Sequence, residues 1–151
     1  MPASKQGTAT DKVWTKEEQA AIQESARERK KQAKLTPEQE REAGEQEVQA
    51  KIAEMPEPDQ SMAARIHALV LDAAPALVPR TYYGMPAYAR DGKTMCFFQP
   101  KSKFKVRYST FGFQPDANVD DGELFPVAFA VIELTPAVEK RLTDLVKKAV
   151  S

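Results

Sequence analysis

The chain has 151 residues, enough for one domain or for one small domain with an appendage. Lys+Arg and Asp+Glu number 22 each, so the formal net charge is zero, which argues against whole-chain attraction to nucleic acid or to an anionic membrane. One cysteine, Cys96, excludes an internal disulfide framework and a multi-cysteine zinc site.

No apolar run approaches the roughly 20 residues that span a bilayer, and the N-terminus lacks the apolar core of a signal peptide. A soluble cytoplasmic protein is the expectation. The zero charge hides an asymmetry. Residues 1–60 hold ten basic against 13 acidic side chains, and residues 61–151 hold 12 against nine.

Residues 1–58 read as a hydrophilic arm. The first twelve are small and polar, without periodicity, and predict disorder. Thr15 followed by Glu18 is a capping box, with Trp14 just outside it, and opens a polar helix to about Lys34. Thr36-Pro37 opens a second helix to about Glu54, where Val48, Ile52 and Met55 line one face. Gly44 in its middle costs about 1 kcal/mol relative to alanine. Whether this arm docks on the rest or stays free is open, since helices this polar need packing to persist in water. Met55-Pro56-Glu57-Pro58 reads as a linker.

Residues 59–151 read as the packed domain. Asp59 or Ser61 can cap a helix in which Met62, Ile66, Leu69, Val70 and Ala73 form a core-facing stripe, with His67 as a flank residue beside it. Pro75 and Pro79 close that helix and lead into Tyr82-Tyr83-Gly84-Met85-Pro86-Ala87-Tyr88. In that stretch glycine permits unusual backbone angles and Pro86 drives Met85 toward an extended shape. Asp91-Gly92 is a hairpin signal, returning as a strand over Lys93–Gln99. The alternation of Phe104, Val106 and Tyr108 with Lys105 and Arg107 predicts a third strand over Phe104–Ser109. Val127–Ile132 predicts a fourth, well-buried strand, and Thr135-Pro136 caps a last helix with Val138, Leu142, Leu145, Val146 and Ala149 inward. The fold class is α+β: an antiparallel meander of about four strands, covered on one face by N- and C-terminal helices and preceded by the polar arm.

Three groups of residues are candidates for function. Tyr82, Tyr83, Met85 and Tyr88 can line an apolar pocket with hydroxyls for a small ligand, or place their hydroxyls on backbone partners while the rings pack. Asp116, Asp120, Asp121 and Glu123 lie within eight residues and can ligate a divalent or ferric ion, or serve as the turn chemistry of a solvated loop. Lys101, Lys103, Lys105 and Arg107, interleaved with Phe104 and Tyr108, carry the ingredients of a single-strand nucleic-acid surface. On a strand, however, the cations and the aromatics face opposite sides, which argues against that use. No phosphate-cradling loop, nucleophile elbow or paired His/Asp or Cys/His arrangement is present in local sequence, and Cys96 sits among apolar residues, so no enzyme is expected.

From about Met62 to Ala149 the chain resembles the small bacterial YdhG-like family, a domain of unknown function. The likeness is carried by the Tyr-Tyr-Gly-Met-Pro-Ala-Tyr turn, the Asp-Gly hairpin, the Phe104–Tyr108 stretch and the Ala128-Phe129…Glu133-Leu134-Thr135 entry into the last helix. The resemblance implies a frataxin-like sandwich and, from some relatives, an intracellular iron-chaperone role. For that role the four loop acids are the local candidates, because hard iron ions prefer oxygen ligands. The sequence thus supports a small binding domain that handles iron or, alternatively, a non-catalytic small-ligand or protein-interaction module built around Tyr82–Tyr88. Its oligomeric state is open.

Overall fold

The computed structural model describes residues 13–32 and 35–151. The expected tail over residues 1–12 and the expected end of the first helix at Lys34 lie outside the described residues. Three helices precede the sheet and one follows it: α1 (Lys16–Gln32), α2 (Pro37–Glu54), α3 (Asp59–Ala73) and α4 (Pro136–Ala149).

The helix starts follow local chemistry. Thr15 and Glu18 exchange side-chain-to-backbone hydrogen bonds of 3.0 Å each. Thr36 and Gln39 do the same at the head of α2, and Thr135 accepts from the Val138 N–H at the head of α4. Orphan N–H groups of the first turn are thereby satisfied. The start of α3 differs from expectation. Asp59, 2% exposed, accepts from the Ser102 N–H at 3.0 Å, and Ser61 bonds Glu57. Neither caps α3. The buried carboxylate instead ties the head of α3 to a distant loop.

The sheet has five antiparallel strands in the order β1-β2-β3-β4-β5: β1 (Val78–Tyr82), β2 (Met85–Arg90), β3 (Lys93–Gln99), β4 (Ser109–Phe113) and β5 (Ala128–Val131). This is the expected meander with one strand added in front. β1 carries Pro79, which an edge strand tolerates because a missing N–H there need not break a ladder. Asp91 and Gly92 turn with φ of 53° and 77°, as the Asp-Gly signal predicts.

Two strand expectations are corrected. Phe104–Ser109 is not a strand: a turn runs through Lys101–Lys105, Lys105 has φ of 56°, and β4 begins only at Ser109. Burial explains the shift. Phe111 and Phe113 are 0% and 2% exposed, whereas Val106 and Tyr108 are 44% and 38% exposed, so pairing over 109–113 buries two wholly apolar rings and leaves the hydroxyl-bearing Tyr108 at the surface. β5 is shorter than Val127–Ile132 and lies at the sheet's far edge. Only Val131 is fully buried there, and Val127 and Ile132 are exposed.

One core runs across the expected division at residue 58. Val48 and Ile52 of α2 pack in the same cluster as Ile66 and Val70 of α3, Tyr88, Phe98 and Phe111 of the sheet, and Leu142 and Val146 of α4. α2 lies so close to β1 that a Cβ on Gly44 would sit 1.9 Å from the Pro79 carbonyl oxygen. The glycine that weakens the helix is what lets the helix approach the strand. Among the described residues, α1 supplies none to this core cluster. It is held in another way.

Candidate functional site: a turn that holds carboxylates

β1 and β2 join through Tyr83-Gly84 alone, since Tyr82 pairs with Met85. Both residues have positive φ, 53° and 77°. A two-residue loop of the primed kind requires this, and for a bulky residue such as Tyr83 the left-handed region is uncommon. The result is two successive N–H groups outside the strand ladder. Concave N–H pairs of this sort bind anions. Here the anion is a side chain: the Glu28 carboxylate of α1 accepts from the Tyr83 N–H at 3.0 Å and from the Gly84 N–H at 3.1 Å.

Glu28 is one of three acids on one face of α1. Glu17, Glu24 and Glu28 stand at i, i+7 and i+11, almost in line along a helix of 3.6 residues per turn. Glu24 pairs with Lys51 of α2 and lies 3.5 Å from Lys103. Glu17 reaches Lys105 at 2.7 Å. Between the acids sit Ala21 and Ser25, 4% and 5% exposed. Gly84 completes the fit, because a Cβ there would lie 2.4 Å from a Glu24 oxygen and 2.9 Å from the Lys103 ammonium. α1 therefore docks by an acidic and small face onto N–H groups and lysines.

The electrostatics agree with the contacts. Burial alone would raise the Glu24 carboxyl, but the hydrogen bond and charge of Lys51, with Lys103 beside it, hold it below the usual carboxylate range. Burial likewise works against the Lys51 ammonium, and Glu24 outweighs it, so Lys51 is raised. Glu17 is lowered by the hydrogen bond from Lys105. A cleft of about 310 Å³ remains between α1 and α2, with Glu24, Glu28 and Lys51 in its wall.

A second polar arrangement lies behind the turn. His67, 6% exposed, places Nδ1 3.0 Å from the Tyr88 hydroxyl and Nε2 3.0 Å from the Glu45 carboxylate of α2. A carboxylate only accepts, so the Nε2–H donates to Glu45, and in the neutral ring Nδ1 accepts from the Tyr88 O–H. Burial opposes the charge on Glu45, but Gln49 and His67 hold its carboxyl low. Tyr88 is raised well above the usual phenol range by burial. The Glu-His-Tyr order is that of a nucleophile-activating triad, but Tyr88 is 0% exposed and meets no solvent. The arrangement pins α2, α3 and β2 together. His67 is thus a buried structural tie between α2, α3 and β2 and not the flank residue that the helical stripe suggested. Its partners come from residues 22 and 21 positions away in sequence, beyond the reach of any i±4 search.

The four tyrosine-turn candidates are not gathered round one cavity. Tyr88 faces α3, while Tyr82 stacks edge-on against Tyr83 at 4.6 Å and tilts on Phe97 at 5.7 Å, on the other side of the sheet. Met85 is buried. The loop acids are not brought together either. Asp116 lies 3.8 Å from Lys93, and Asp121 forms an isolated bridge with Leu124. Lys148 reaches the Asp120 carbonyl, not its carboxylate. Glu123 is exposed. Among the described residues no three His, Cys, Asp or Glu side chains form a metal-holding group.

The basic-aromatic stretch also departs from its expected geometry. As a loop it lets Lys103 lie over Phe104 at 5.7 Å and Arg107 over Tyr108 at 5.6 Å, so cation and ring share a side. Lys103 and Lys105 are engaged by α1. Cys96 is 1% exposed, and burial pushes its thiol far up. No described helix is long and apolar enough to cross a membrane.

Apolar periodicity could not reveal the α1 contact, because the docked face holds no large apolar residue. The available signal was the i, i+7, i+11 spacing of Glu17, Glu24 and Glu28 set against a basic loop. Comparison with known proteins adds nothing to this geometry: no family model, no curated protein and no solved structure matches the chain.

Proposed function

We propose that the protein is a non-catalytic protein-interaction module whose working surface is the Tyr83-Gly84 turn together with Lys51 and Lys103, and that this surface recognises carboxylates. One observation carries the reading. The turn holds the Glu28 carboxylate through two consecutive backbone N–H groups, at the cost of a left-handed Tyr83. Charge-assisted hydrogen bonds are worth about 1.5–3 kcal/mol each, against about 1 for neutral ones. Strained backbone clusters where a ligand is clamped. The iron reading implied by the YdhG-like resemblance has no gathered carboxylates to support it among the described residues.

The test uses the full chain with Ala21→Arg, Glu24→Ala and Glu28→Ala, which vacates the turn. Acetyl-Gly-Glu-Gly-Gly-Gly-Glu-Gly-amide at millimolar concentration is expected to shift the Tyr83 and Gly84 amide resonances in that chain and to leave them in place in the wild type. Unmoved amides in both chains would reject the carboxylate-reading turn.

A further inference from the structure

The occupant of the turn describes the ligand it was shaped to take. We infer that the site binds an acidic α-helix of a partner protein, presenting two glutamates one turn apart with a small residue between them, and that α1 is its resident substitute in the unbound protein. This inference rests on the carboxylate-reading turn proposed above.

Three features point to a helix and not to a lone carboxylate. First, Glu24 and Glu28 are four residues apart and reach separate receivers, Lys51 with Lys103 in one case and the Tyr83 and Gly84 N–H pair in the other. Residues at i and i+4 share a helix face, so a helix meets both receivers at once without bending the backbone. Second, Ser25 is buried between them and Ala21 one turn before, so the helix backbone comes close and side chains larger than these would hold it off. Third, Gly84 offers no Cβ where Glu24 and Lys103 crowd. The receiving face is thus complementary in both charge and depth.

The same observations show why α1 can give way. It contributes no residue to the core cluster among the described residues, and it leaves a cleft of about 310 Å³ against α2. Its hold is made of ion pairs and hydrogen bonds that a competing acidic helix would replace one for one. Ile22 of α1 and the preceding Trp14 are 43% and 42% exposed.

The experiment measures peptide binding to the full chain carrying Ala21→Arg, Glu24→Ala and Glu28→Ala. The long cation at a site 4% exposed expels α1, and hydrogen exchange along residues 16–32 confirms the release. The probe is a synthetic peptide of residues 16–32. It is compared with an Ala26→Pro version, which breaks the helix at an exposed position, and with a Glu24→Ala/Glu28→Ala version. The parent peptide is expected to bind and to move the Tyr83 and Gly84 amides. Both altered peptides should bind at least about tenfold more weakly, the factor of one lost charge-assisted hydrogen bond.

Equal binding by the Ala26→Pro peptide would overturn the helical partner and leave the carboxylate-reading turn standing. Failure of every peptide, including the flexible acetyl-Gly-Glu-Gly-Gly-Gly-Glu-Gly-amide, with α1 shown to be released, would overturn both. A wild-type chain that dimerises with rising concentration and loses the dimer on Glu28→Ala would assign the site to a second copy of α1 and reject a foreign helix.

Discussion

Gly44→Ala sets two physical arguments against each other. Helix propensity alone predicts stabilisation, since alanine is better than glycine by about 1 kcal/mol in a helix interior. The packing predicts the opposite sign. The new Cβ would stand 1.9 Å from the Pro79 oxygen and 2.9 Å from its carbonyl carbon, and both are backbone atoms that cannot swing aside. An unstrained carbon–oxygen contact needs roughly 3.3 Å, so α2 and β1 must part by about 1.4 Å from the 1.9 Å approach. Forced overpacking costs about 1–3 kcal/mol. The displacement also falls next to Glu45, whose 3.0 Å bonds to His67 would lengthen past hydrogen-bonding range. That adds about 1.5–3 kcal/mol for a charge-assisted bond. Set against the propensity gain, the expected net change is a loss of about 1.5–5 kcal/mol, or a Tm lower by roughly 3–20 °C for a chain of this size. Thermal and urea unfolding followed by circular dichroism measures it. A Tm equal to or above that of the wild type would refute the tight α2–β1 contact.

Three further outcomes are expected. Tyr88→Phe removes the donor to His67 Nδ1 and leaves a buried nitrogen unsatisfied, so unfolding free energy should fall by about 1–3 kcal/mol with little change in the urea m-value; an unchanged midpoint would reject the Tyr88–His67 hydrogen bond as a stabilising contact. Cys96 should resist a thiol reagent at neutral pH in the native chain and react only on unfolding, because the thiol is buried and its ionisation is pushed up; fast labelling of folded protein would contradict that burial. The Glu24 carboxyl is held below its ordinary value, so its contribution to holding α1 is complete above the unfolded carboxyl range near pH 4.5 and is lost as pH falls through the lower folded value. Emission of Trp14, the only tryptophan, should report release of α1 over that acid window, and earlier in high salt than in low. A Trp14 signal flat across that window and indifferent to salt would argue against docking by ion pairs.

The parts of the fold that rest on local chemistry were legible from the residues. The caps at Thr15, Thr36 and Thr135, the Asp91-Gly92 turn and the apolar stripes of α3 and α4 each depend on neighbours within a few positions, and the structure shows all of them. Errors arose where partners are distant. The alternation over Phe104–Tyr108 was a true period of two, but Phe111 and Phe113 are the rings that the sheet buries, and only pairing with β3 and β5 decides between the two stretches. β1 was hidden by Pro79, which is tolerated because the strand lies at an edge under α2. Gly44 looked like a flaw until the strand beneath it was in view. The site was harder still. Tyr82-Tyr83-Gly84 stood out as a bend, yet its value as an anion holder depends on two φ angles and on an acidic helix more than fifty residues earlier in the chain.

The capture of Glu28 by the Tyr83 and Gly84 amides is the contact on which the functional account stands, and hydrogen exchange at those two amides tests it most directly. In the wild-type chain both should be protected although they lie outside the strand ladder. In Glu28→Ala both should exchange at least about tenfold faster, matching the loss of one charge-assisted bond, while core amides such as those of Phe98 and Phe111 keep their rates. Equal exchange at Tyr83 and Gly84 in the two chains would mean that the turn does not hold the carboxylate in solution, and the reading of this surface as a carboxylate receiver would fall with it.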